Sequence, residues 1–180
     1  KRQIMAVTQK FLRFAALLYW LTVLVMLVLL AFYVGLLVTH PPSLAHADIY
    51  FADLNIAPAS TAAHFWAASV MDFAVFAAMI WTLNVLRLLF GAFGKGQVLT
   101  HRCAILIGRI GRGVAAIAAL RLLSVPVQTV ILTLAAPAGE RQLAVGIDLS
   151  DIYLLLAGGL FTMIGWAMRD AAEAVDENRA

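Results

Sequence analysis

The chain holds a single cysteine, Cys103, and only 13% of its 180 residues are charged. One thiol can neither close an internal disulfide nor supply a paired-cysteine metal knuckle, which excludes disulfide scaffolds and zinc ribbons. So few charges beside 63% hydrophobic residues fall outside the composition of soluble globular domains. Proline is scarce as well, so long apolar runs go unbroken. The formal charge of +3 raises nucleic acid as a partner. Basic residues flanking apolar runs are, however, what membrane insertion requires, and direct nucleic-acid binding is set aside.

A bilayer core of about 30 Å takes about 20 apolar residues in a helix. Four stretches meet that length, at about residues 14–38, 64–90, 113–136 and 151–168. The pattern predicts an all-α membrane protein, a single-domain bundle of four transmembrane helices, with residues 169–180 as a cytoplasmic helical tail. Lys1, Arg2, Lys10 and Arg13 precede the first run, and Arg87, Lys95, Arg102, Arg109 and Arg112 crowd the second connection. The first loop has no Lys or Arg and the third has only Arg141. By the positive-inside rule both termini and the second connection face the cytoplasm. A signal peptide cleaved after Ala47 competes for the first run, but a stretch of about 25 apolar residues exceeds the usual 7–15, and it is read as a retained helix.

In the outer loops, "DIYFADLNI" is rich in β-branched and aromatic residues, and "RQLAVGIDL" alternates in the strand period. They are expected to be extended, either paired as a small two-stranded extracytoplasmic cap or lying as two separate loops. In the second connection Thr100 is placed as a helix N-cap. The segment 100–112 is amphipathic, with Arg102 and Arg109 on one face and Arg112 close by, and should lie at, or project from, the cytoplasmic interface. Its glycines and Lys95 lack the strand and the Gly-Lys-Ser/Thr order of a phosphate loop. On the same side the tail carries Asp170, Glu173, Asp176 and Glu177. Lys95, Arg102, Arg109, Arg112, Glu173, Asp176 and Glu177 are therefore the residues expected to meet lipid phosphates, each other, or a cytosolic protein.

Arg121 sits in the third apolar run, sharing a face with Ser124 and Gln128, while Ser69 and Asp72 make a polar pair in the second. A lone charge at mid-membrane costs about 2.5–3.5 kcal/mol on insertion scales. At about 1.5 Å per residue, Asp72 and Arg121 differ in depth by about 6 Å, within side-chain reach. The expectation is an intramembrane Asp72–Arg121 ion pair, with Ser69, Ser124 and Gln128 meeting the remaining donors and acceptors; both charges snorkelling to opposite interfaces is the rival arrangement. Gly111, Ala115 and Ala119 form a small-residue stripe for close helix contact, and Pro126 is expected to kink the third helix. His40, His46, Asp48 and His64 lack metal-site spacing, and no constellation of nucleophile, base and acid suggests an enzyme. No cofactor or metal is expected.

The segments "GQVLTHRCAILIGRIG" and "IDLSDIYLLLAGGLFTMIGWAMRDAAEAVDEN" resemble a bacterial family of small four-span membrane proteins, domain of unknown function 2975. In that family Ser/Thr opens a helix that ends in an apolar-x-x-apolar-glycine rhythm, and the last span runs into an acidic helix. Leu99 departs from it, since an aromatic is more usual there. The resemblance implies the four-span architecture, no catalytic residues, and association with cytosolic helix-turn-helix regulators. Two functions follow as expectations: a non-enzymatic membrane partner or sensor for such a regulator, or a bundle, monomeric or homo-oligomeric, that binds or conducts a small molecule or ion at the Asp72–Arg121 layer. Haem-linked redox chemistry is a third, distinguished by a Soret band.

Overall fold

Four runs too apolar to leave in water fold as four long helices in the computed structural model, which describes residues 2–43, 45, 61–97, 100–134, 136–137, 141 and 143–177, with side chains from residue 11 to residue 174 among them. Helix α1 is Arg2–Thr39, α2 is Ala62–Gly94, α3 is His101–Thr133 and α4 is Leu149–Glu177. All four contain a stretch long and apolar enough to cross a membrane, Phe11–Thr39, Ala62–Gly94, His101–Thr133 and Leu149–Ala174. Among the described residues there is no strand. Residues 143–148 are neither helix nor strand, and the first half of the expected cap, 48–56, lies outside the described residues.

The third helix differs from its expected limits. The amphipathic segment is the first third of α3, continuous with the apolar run. Cys103, Ala104, Leu106, Gly108, Ile110 and Gly111 are buried while Arg102, Arg109 and Arg112 are exposed. The apolar stripe is buried against the neighbouring helices and the arginines are left on the open face. Its N-cap is Thr100, whose hydroxyl accepts from the Cys103 N–H at 3.3 Å. Pro126 lies inside this helix without ending it.

The turn between α2 and α3 is tight. Gln97 N–H reaches the Ala92 carbonyl and Gly96 N–H the Phe93 carbonyl, with Gly96 at φ +76°. That is the Schellman closure, and its left-handed position suits glycine. Cys103 Sγ then donates to the Gln97 carbonyl at 2.9 Å, which fastens the first turn of α3 to the end of α2.

Helices pack on their sequence neighbours: α1 on α2, α2 on α3 and α3 on α4, while α1 and α4 meet marginally at most. Stacking of Tyr33 on Phe76, centroids 4.0 Å apart, and the tilted Phe11–Phe93 pair at 6.1 Å hold α1 against α2. Between α2 and α3 lies the apolar cluster of Val85, Leu89, Ala92, Cys103, Leu106 and Ile110. The α3–α4 contact is made by small residues. A methyl at Gly165 would lie 2.5 Å from the Gly108 nitrogen, and one at Gly158 would lie 2.6 Å from the Ala115 nitrogen. Close backbone approach of this kind is how helices associate where lipid and side chain are equally apolar. Gly111 and Ala115 of the expected stripe are in this seam, whereas Ala119 is exposed. The outer faces of α1 and α4 stay uncovered and apolar, with Trp20, Leu24, Phe32, Leu156, Met163 and Trp166 exposed, as lipid-facing surfaces require.

Candidate functional site

The α3–α4 seam fixes where α4 begins. Gly108 lies on Gly165 and Ala115 on Gly158, so the two antiparallel helices keep one register along their shared length. Continued toward the α4 N-terminus, that register brings Asp151 opposite Arg121. Their side chains meet, Arg121 Nε lying 2.8 Å from Asp151 Oδ1. The approach is ionic and not a well-aligned hydrogen bond, since that oxygen has no hydrogen-bond partner. Asp151 is 4% exposed, so its charge is buried at the head of α4 and Arg121 is what balances it.

This overturns the expected Asp72–Arg121 ion pair: no salt bridge joins them, and the arginine has a different acid. The physical cause is the third loop. A methyl at Gly146 would lie 3.8 Å from the Val125 side chain, and residues 144–148 line one groove with Arg121 and Val125, so this stretch runs back along α3 before α4 starts. Helix α4 therefore begins level with Arg121, although α3 continues about 18 Å beyond it. A shorter last run was the available sign: between Asp151 and Arg169 there are about 17 uncharged residues, only enough for about 26 Å of helix.

Asp72 is held from α3 by a different residue. Gln128 Nε2 donates to Asp72 Oδ1 at 2.9 Å and reaches toward the Ala68 carbonyl at 3.4 Å. Gln128 is buried, and it joins the expected layer to Asp72 alone. The other carboxylate oxygen, Oδ2, is buried without a hydrogen-bond partner among the described residues. The two serines do not serve the ions. Ser69 donates to the Phe65 carbonyl at 2.9 Å and Ser124 to the Arg121 carbonyl at 2.6 Å. A hydroxyl on an apolar helix closes on its own backbone when no nearer acceptor is offered.

Asp72, Arg121 and Ser124 nevertheless line one open groove of about 370 Å³, with Val75, Phe76 and Met79 as its apolar wall. A second groove of about 520 Å³ lies on the other side of Arg121, against residues 144–148 and Asp151. The arginine thus stands between two recesses, with Asp151 holding it from one side.

At the opposite end, the residues expected to meet a partner are only partly brought together. His101 Nδ1 lies 3.8 Å from Glu173 Oε1, and Arg169 Nε 4.0 Å from the same oxygen, all on exposed side chains. Exposed pairs at that distance contribute about 0–1 kcal/mol. Lys95, Arg102, Arg109 and Arg112 are exposed, and the side chains of Asp176 and Glu177 lie outside the described residues. Of the outer histidines, His64 is used in capping, its Nδ1 accepting from the Thr61 N–H at 3.1 Å; His46 and Asp48 lie outside the described residues.

Asp148 opens α4. Its Oδ1 accepts from the Ser150 N–H at 2.7 Å and its carbonyl from the Asp151 N–H at 3.0 Å. Those Ser150 donors, with the Arg121 charge adding a smaller pull, hold the Asp148 carboxyl below the ordinary carboxylate range. Compared with known proteins, the chain matches no family model, no curated protein and no solved structure.

Proposed function

We propose that this chain is a non-enzymatic multi-pass protein of the bacterial inner membrane that binds a small cationic amphiphile in the groove between α2 and α3. One observation carries the reading: Arg121 is balanced by Asp151, which leaves Asp72 with one carboxylate oxygen bonded to Gln128 and one without a partner. Counted together, the three ionised groups leave one net negative charge. In a bilayer an uncompensated carboxylate is completed by a proton or a cation, and intramembrane acids of this kind mark ligand and ion sites. Val75, Phe76 and Met79 supply the apolar wall that an alkyl chain would use. Placement in the family of domain of unknown function 2975 belongs to this proposal, as does the orientation with both termini in the cytoplasm.

The test is the thermal stability of the purified full chain in detergent, with butylammonium and its neutral alcohol analogue as probes. A ligand bound only to the folded state stabilises it as ligand concentration rises past Kd. The amine should raise the midpoint for wild type and not for Asp72→Asn, and the alcohol should do neither. Equal shifts for both proteins would sink the groove as the site.

The exposed Arg102, Arg109 and Arg112 favour a second reading, docking of an acidic face of a cytosolic helix-turn-helix regulator. Charge reversal at Arg102 and Arg109 should then remove a co-purifying protein that Asp72→Asn leaves in place. An unchanged set of partners counts against it.

A further inference from the structure

A cavity of about 410 Å³ lies where α1 passes the end of α2, and its lining brings together Arg87, Lys95 and Arg102 with Tyr19, Trp20 and Gln97. No acid is among the described lining residues. Three cations around one recess repel one another, and exposed charges on flexible side chains would relieve this by moving apart. Arg87 cannot do so fully, because it lies on α2 among partly buried residues and its Nε is buried with no hydrogen-bond partner. A guanidinium N–H left unmatched beside a basic recess calls for an acceptor that carries negative charge. The tight turn at Gly96 holds Lys95 and the first turn of α3 next to it, so Arg102 arrives from a second helix on a fixed connection.

We propose that this cavity is a specific site for the phosphate headgroup of an anionic phospholipid. Phosphate is the shared chemistry of a lipid headgroup and a free anion, and the surroundings favour the lipid. Trp20 and Leu88, both exposed, stand at the rim, and the exposed apolar face of α1 continues from it through Leu17, Leu21 and Leu24. A headgroup held by the arginines would lay its acyl chains along that face, which a free ion could not use. Tyr19 closes over Gly91, its ring 3.6 Å from where a methyl would stand, and that leaves the recess open beside the small residue. This end of the molecule is also the one the basic residues place at the anionic cytoplasmic leaflet. The site is separate from the groove at Asp72 and does not depend on it.

Native mass spectrometry of the full chain from vesicles of equal phosphatidylglycerol and phosphatidylcholine content tests the proposal. Wild type should retain phosphatidylglycerol preferentially, and both Arg87→Gln and Arg102→Gln should lose roughly fivefold or more of that preference. Arg109→Gln removes an exposed charge that does not line the cavity and should keep it, and the melting midpoint of each variant in detergent shows that it is folded. Equal loss in all three variants would mean general surface charge, and no loss in Arg87→Gln would mean another site; either overturns the proposal. Displacement of the retained lipid by millimolar inorganic phosphate would assign the cavity to a soluble anion and likewise overturn it.

Discussion

An arginine near the middle of an apolar helix needs a counter-charge, and two carboxylates lie on the neighbouring helices. Arg121 takes Asp151, and Asp72 takes the amide of Gln128. The consequence for Asp72 is testable by substitution. In Asp72→Asn an oxygen remains to accept from Gln128, so unfolding free energy in detergent should change by less than about 1 kcal/mol while amine binding is lost. Gln128→Leu does the reverse: it strips the carboxylate of its one bonded partner and should cost about 1–3 kcal/mol, read as a lower midpoint in the same melt. Similar costs for the two variants would mean that Gln128 is not what holds Asp72.

The seam between α3 and α4 sets the register on which the Arg121–Asp151 pair depends. Gly165 and Gly158 each face backbone, whereas a methyl at Gly159 would meet nothing within 4 Å. Gly165→Ala should therefore destabilise by about 1–3 kcal/mol through forced separation, while Gly159→Ala should be neutral or stabilise by up to about 1 kcal/mol through helix propensity. At the head of α4 the Asp148 carboxylate caps the helix, and its affinity for a proton is lowered by the Ser150 donors. A carboxyl depressed on folding contributes stability that is present above its unfolded value near 3.9 and is lost as pH falls through the lower folded value. Amide exchange at Ser150 should be slow at pH 6 and accelerate, relative to its intrinsic rate, only below about pH 4. Asp148→Ala should remove that pH dependence.

For the whole molecule, the four spans were legible in the sequence because hydrophobic length is a one-dimensional property. The small-residue stripe at Gly111 and Ala115 was legible for the same reason, since helical spacing alone puts both on one face. Partner choice for Arg121 was not, because it depends on the depth at which α4 enters, and residues 143–148 set that depth by running back along α3. The strand-period alternation of residues 143–149 carries no sign of such a descent, and depth counted from span ends put Asp72 within about 6 Å of Arg121. The proposed orientation is tested by labelling: with Cys103 replaced, a cysteine at Lys95 should react with an impermeant thiol reagent only from the cytoplasmic side, and one at Thr61 only from the outside. The most direct measurement is a pair of double-mutant cycles in detergent. Arg121→Leu should couple to Asp151→Leu by about 1–3 kcal/mol and to Asp72→Leu by close to zero. A larger coupling with Asp72 would restore the pairing that charge depth alone suggests, and would remove the partnerless carboxylate oxygen on which the ligand site rests.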